Sequence, residues 1–137
     1  MAKALHFTSD VGRLEEVRQF VREATDGLLP SETSLFELQL VVVEAVTNVI
    51  EHAYEGMAGK PIFLEIEGSG HDISLTLRDQ GLPFDLGSHP DLDIARHVAD
   101  GARSGLGVFL MRRLLSALAL DREGGWNVMR MRFELDP

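Results

Sequence analysis

The stretch Ser34 to Tyr54, SLFELQLVVVEAVTNVIEHAY, constrains the fold more than any other part of the chain. At about 100° per residue, Leu38, Val42, Ala45, Val49 and Ala53 form a broad apolar face, which predicts a core helix. Glu44 and Asn48 fall instead on a narrow polar stripe with Glu37 and Glu51, flanked on both sides by Leu40, Val41 and Val43. A solvated face is wider and more charged. A carboxylate and an amide among apolar neighbours are unfavourable unless a metal, a cation or a ligand meets them. The stripe alone does not choose between a polar helix edge and a site.

Around this helix the periodicity is clear. Leu5 and Phe7 alternate within Lys3 to Thr8, which predicts a short first strand at a sheet edge. Thr8, Ser9 and Asp10 offer caps for a packing helix from Val11 to Thr25, carrying Leu14, Val17, Phe20, Val21 and Ala24. Ser34 and Glu37 have the spacing of a capping box for the central helix, which closes in the glycine-bearing turn Tyr54 to Gly59. From Pro61 the period changes to 2: Ile62, Leu64 and Ile66 alternate, Gly68 to Asp72 make a hairpin loop, and Ile73, Leu75 and Leu77 alternate again. Counting on by twos reaches Asp79, which places a carboxylate on the apolar face. Gly81 follows and allows close backbone approach, after which Leu82 to Asp85 leave the sheet.

Leu86 to Ser104 is long for a plain connection and holds at best a short helix around Leu92 to Val98, so a functional role is expected of it. Gly105, Leu106 and Gly107 then open a helix over Val108 to Ser116 with Leu110, Leu114 and Leu115 facing the core. Amides at such a helix start can receive an anion, although glycine before a helix is common. Ala117 to Leu135 reads as a second hairpin with its turn at Arg122 to Gly125 and with Met129, Met131, Phe133 and Leu135 alternating. Asn127 shares their parity and should point inward. The expected fold is α+β, a two-layer α/β sandwich with a mixed, mostly antiparallel sheet and helices on one face.

The 137 residues suit one domain, 1–137. No segment is expected to approach the roughly 20 apolar residues that span a bilayer, and the N-terminus lacks the apolar run of a secretory signal, so a cytoplasmic protein without a membrane partner is expected. The absence of cysteine excludes disulfides, thiolate metal sites and cysteine nucleophiles. A net charge of -9 argues against nucleic acid as a direct partner. It does not forbid a nucleotide, since backbone amides and one divalent metal can hold phosphates. His6, His71, His89 and His97 show no zinc-ligand spacing.

Three segments stand in a familiar order: EAVTNVIEHAY from Glu44, RDQGLPFD from Arg78 and RSGLGVFLMRRL from Arg103. Together they resemble the N box, the D-x-G box and the G-x-G box of the Bergerat-fold (GHKL, histidine-kinase-like) ATPases. The short length, the E-A-x-T-N-x-x-x-H-A-Y form of the first box and the R-S-G-x-G form of the last look most like the stand-alone anti-sigma-factor serine kinases. The resemblance implies ATP or ADP with Mg2+ as cofactors, and Asn48 as the metal ligand. Glu44 becomes the catalytic base that orients or deprotonates the attacking hydroxyl, and Arg103 the guanidinium on the γ-phosphate. Asp79 accepts from the adenine amine, and Gly81 lets the backbone close on the base. Gly105 and Gly107 offer amides to the phosphates, with Phe84, Ser104, Leu106 and Asn127 completing the nucleotide-binding set. Leu86 to Ser104 becomes a lid.

His52 falls on the border of the apolar face and is read as a packed, hydrogen-bonded residue supporting the site. It is not expected to be a phosphoacceptor, because in sensor kinases that histidine belongs to a separate helical domain. Two departures stand out. Asn127 follows Trp126 where the family commonly has a threonine, and Leu82-Pro83-Phe84 replaces the second glycine that many relatives carry after the D-x-G box.

The resemblance implies a protein serine/threonine kinase that phosphorylates a STAS-type anti-anti-sigma protein, binds a sigma factor by turns and forms a homodimer. The alternative is a nucleotide-dependent partner-binding module without useful phosphoryl transfer. An interaction domain that has lost nucleotide is a third reading, which leaves Glu44, Asn48, Asp79 and Arg103 without a purpose.

Overall fold

The computed structural model describes residues 2–83 and 106–135. A five-stranded sheet is built from β1 (Ala2–Thr8), β2 (Pro61–Gly68), β3 (Asp72–Asp79), β4 (Ala117–Glu123) and β5 (Trp126–Glu134), in the order β1-β2-β3-β5-β4. One expectation is corrected here: every neighbouring pair is antiparallel, so the described sheet is not mixed. Two hairpins supply four of its strands, and β1 adds antiparallel to β2 as the expected edge. The register turns Ile62, Leu64, Ile66, Ile73, Leu75, Leu77, Met129, Met131 and Phe133 to one buried face, as their alternation requires.

The helices α1 (Leu14–Ala24), α2 (Glu32–Asn48) and α3 (Leu106–Leu114) contribute to the same core as that face. Leu38, Val42, Ala45, Val49 and Ala53 are all buried, as their spacing predicts. Leu35, Val41, Val46 and Ile50 are buried as well, because α2 lies between α1 and α3. This explains a second correction. With the turn that continues it, α2 runs Glu32–Ala53, 22 residues, and is by length and composition long and apolar enough to cross a membrane. Contact with α1, α3 and the core leaves it few positions where a polar residue would be free of packing.

The ends of the elements depart from the sequence pattern for local reasons. Helix α2 starts before the expected capping box: Ser31, in extended conformation after Pro30, accepts from the Ser34 N–H at 3.1 Å. The first helix begins with a 3-10 turn, Val11–Arg13, whose Arg13 N–H donates to the Asp10 carbonyl at 2.8 Å; the Asp10 side chain makes no cap bond and instead accepts from the Thr8 hydroxyl. Beyond Asn48 the central helix widens into a π turn, Val49–Ala53, before Glu55 and Gly56 close it with positive φ. In the second hairpin Gly124 and Gly125 both adopt positive φ, so two residues complete the turn and Arg122 remains in β4.

Tyr54 ties these parts together. It is 3% exposed; its hydroxyl donates to the Pro61 carbonyl at 2.6 Å and accepts from the Gln80 N–H at 2.7 Å. One side chain thus joins the helix end to the start of β2 and the end of β3. Tyr54→Phe leaves that carbonyl and that N–H without their partner, and a loss of about 1–3 kcal/mol is expected, read as a lower urea midpoint at unchanged m-value.

Candidate functional site

The inward parity of Asp79 is real, and beside the apolar Ile62 it begins a polar row that crosses β5 to β4. Across the sheet Ile62 pairs with Asp79, Asp79 with Asn127, and Asn127 with Arg122. Asp79 is 3% exposed and Asn127 8%. The Asp79 Oδ1 accepts from the Gly81 N–H at 2.8 Å and from Asn127 Nδ2 at 2.8 Å. Burial pushes the Asp79 carboxyl above its ordinary value, and the Asn127 and Gly81 hydrogen bonds and the Arg122 charge oppose that rise in part.

The helix supplies the facing wall. Asn48, Val49, Ala53, Asp79, Pro83, Leu120, Asp121, Arg122, Asn127 and Met129 enclose a cavity of about 200 Å³. The Asn48 Nδ2 is buried and, among the described residues, has no hydrogen-bond partner. A buried amide without a partner is unfavourable by about 1–3 kcal/mol, so a ligand that entered the cavity and satisfied it would gain that much. Among the described residues no group of three His, Asp or Glu side chains is placed to hold a metal. A Mg2+ ion would be held by the Asn48 Oδ1, since Nδ2 can only donate and calls for an acceptor such as a phosphate oxygen, and its other ligands would come from phosphates and water.

Two glycines bring backbones into close approach. A Cβ on Gly81 would collide with the Ala53 backbone carbonyl, and the Leu82 N–H donates to that carbonyl at 2.8 Å. The loop after β3 is thereby docked on the π turn, and one carbonyl at the helix end gains a donor. A Cβ on Gly107 would run into the carboxylate of Glu44. Glu44 thus stands, half-buried, against the first turn of α3, where the helix dipole favours a negative charge.

The cavity brings together Asn48, Asp79 and Asn127. Gly81 lines a neighbouring cavity, and Glu44 meets Gly107 rather than the cavity wall. Gly107 lies inside the first turn of α3, not before it, because α3 begins at Leu106. Phe84, Asp85, Arg103, Ser104 and Gly105, the lid Leu86 to Ser104 and the expected short helix within it lie outside the described residues, as does the side chain of Leu106. His52 is exposed, contrary to its reading as a packed residue, and lies in the π turn Val49–Ala53. Arg122 is the residue that sequence reasoning missed. Its signal was parity: Leu118, Leu120 and Arg122 are spaced by twos, but the residue was assigned to the turn.

Comparison with known proteins agrees with this fold. The family model of the histidine kinase-like ATPase domain matches residues 7–133. The serine/threonine-protein kinase BtrW of Bordetella bronchiseptica is 32% identical over 92 residues, 67% of this chain and 65% of that protein. An anti-sigma F factor of Bacillus licheniformis is 32% identical over 97 residues, 67% of this chain and 63% of that protein. The chain therefore spans just under two thirds of the length of these relatives. A solved structure of the RsbU and RsbW domains of a Mycobacterium tuberculosis protein shares the fold with a TM-score of 0.65 at 15% identity, over 98% of this chain and 33% of that one. With the family model matching nearly its whole length, and with the inward aspartate and the polar helix stripe in place, the chain belongs to the histidine kinase-like ATPase domain family.

Proposed function

We propose that this chain, as a single ATPase domain over 1–137, binds ATP with Mg2+ and phosphorylates a serine of a STAS-type anti-anti-sigma protein. In the same reading it acts as an anti-sigma factor that holds a sigma factor by turns and pairs with a second copy of itself. The observation that carries the reading is the shared cavity, in which the inward Asp79 from the sheet and the buried Asn48 Nδ2 from the helix, without a partner among the described residues, face the same space. The names of the kinase and the anti-sigma F factor among its relatives support it.

The roles follow from the chemistry of each group. Asp79 accepts a hydrogen bond from the exocyclic amine of adenine, and the close Gly81–Ala53 contact sets the height of the loop beside the base. Asn48 is the residue that would hold Mg2+, which when bound neutralises charge on the phosphates. Glu44, four residues before Asn48 on the same helix stripe, takes the proton of the attacking serine hydroxyl. Arg103, by resemblance, places its charge on the γ-phosphoryl group as it transfers.

The test is direct. Purified protein is incubated with Mg2+ and γ-labelled ATP in the presence of STAS-type proteins from the same genome, and phosphoserine is followed. Label on a STAS serine is the expected outcome. If ADP binds in calorimetry but no STAS protein is labelled, the nucleotide-dependent binding module replaces the kinase.

A further inference from the structure

Asn127 occupies the position where the family commonly has a threonine, and its amide is wholly engaged within the protein. Its Nδ2 donates to Asp79 Oδ1 at 2.8 Å and to the Leu82 carbonyl at 2.9 Å, with the Gly81 carbonyl farther off at 3.3 Å. Its Oδ1 accepts from Arg122 Nη1 at 2.9 Å. That same Nη1 donates to the Gly81 carbonyl at 2.8 Å. The amide has one possible orientation, because guanidinium can only donate while carboxylate and carbonyls can only accept. Asn127 therefore has no donor to spare for a base.

We infer that Arg122, through Asn127 and the Gly81 carbonyl, is a positioning residue that sets base selectivity by holding Asp79 so that one carboxylate oxygen belongs to the protein and the other to the base. Oδ1 takes both protein donors; among the described residues Oδ2 has none. An oxygen held in that way accepts from the 6-amine of adenine and repels the 6-oxo group of hypoxanthine. Arg122 lies at the end of β4, an edge strand, and is itself exposed, so its guanidinium is the outer clamp on the loop Gln80 to Pro83. The inference rests on the nucleotide reading above and adds to it a residue of the cavity wall that acts through Asn127 and the loop backbone.

The experiment is calorimetric titration of the whole chain with ADP and with IDP, which differ at that 6-position. The native protein is expected to prefer ADP. Arg122→Ala is expected to weaken ADP by about tenfold and to leave IDP nearly unchanged, so the ADP-to-IDP preference falls by about the same factor. Arg122→Lys, which keeps a cation and a donor, recovers part of the preference. Asn127→Ala combined with Arg122→Ala should lower the preference by less than the two single effects multiplied, since both act as one unit. Equal weakening of both nucleotides, or an unchanged preference in a variant whose melting curve shows it folded, overturns the role of Arg122 while the nucleotide site stands. A native protein that binds neither nucleotide overturns both.

Discussion

Asp79→Asn leaves the protein folded and lowers its affinity for ADP by at least about 100-fold. The asymmetry of the site dictates this result. The oxygen of the new amide must take the place of Oδ1, because the Gly81 N–H and Asn127 Nδ2 both donate there. Its NH2 group is then forced toward the adenine amine, donor against donor. The exchange removes a charge-assisted hydrogen bond of about 1.5–3 kcal/mol and leaves a buried donor without a partner at a further 1–3 kcal/mol. Titration calorimetry with ADP measures it, and retained affinity would remove adenine from the site.

The same substitution has a pH signature with a definite sign. Burial raises the carboxyl of Asp79, so the folded state holds its proton more tightly than the unfolded chain does. Such a group contributes stability that is fully present below its unfolded value and lost as pH rises through its folded value. Above its folded value the ionised Asp79 therefore opposes folding, and there Asp79→Asn, which keeps both protein hydrogen bonds, is expected to be at least as stable as the native protein. As pH falls through the raised value the native protein gains on the variant. Urea unfolding of both proteins at pH 7 and near pH 4 reads that difference.

Strand parity makes much of this site legible in the sequence. Asp79 and Asn127 were placed inward by counting along strands whose neighbours are apolar, and both are buried. What could not be read depends on contacts between segments. The π turn brings the Ala53 carbonyl to the Leu82 N–H, a bond between residues 29 positions apart that no helical pattern announces. Arg122 was misplaced because four residues were allotted to a turn that two left-handed glycines complete. Helix α2 showed more apolar residues than one face requires, and only the presence of a helix on either side accounts for the surplus.

Glu44→Gln is expected to abolish phosphoryl transfer, by about 10²–10⁴-fold, while ADP affinity stays within about threefold. The carboxylate stands against Gly107, where a Cβ would strike it, so a side chain of the same size is accommodated and the contact with α3 persists. An amide of that shape cannot accept the hydroxyl proton. Loss of the negative charge at the start of α3 weakens the helix by about 0.3–1 kcal/mol, too little to unfold the domain. Quench-flow measurement of phosphoserine on a STAS-type protein that serves as the proposed substrate, set beside ADP titration of the same preparation, separates the two roles. Transfer at the native rate would leave Glu44 as an anchor for α3. Loss of both transfer and ADP binding would make it part of the nucleotide cradle rather than the base.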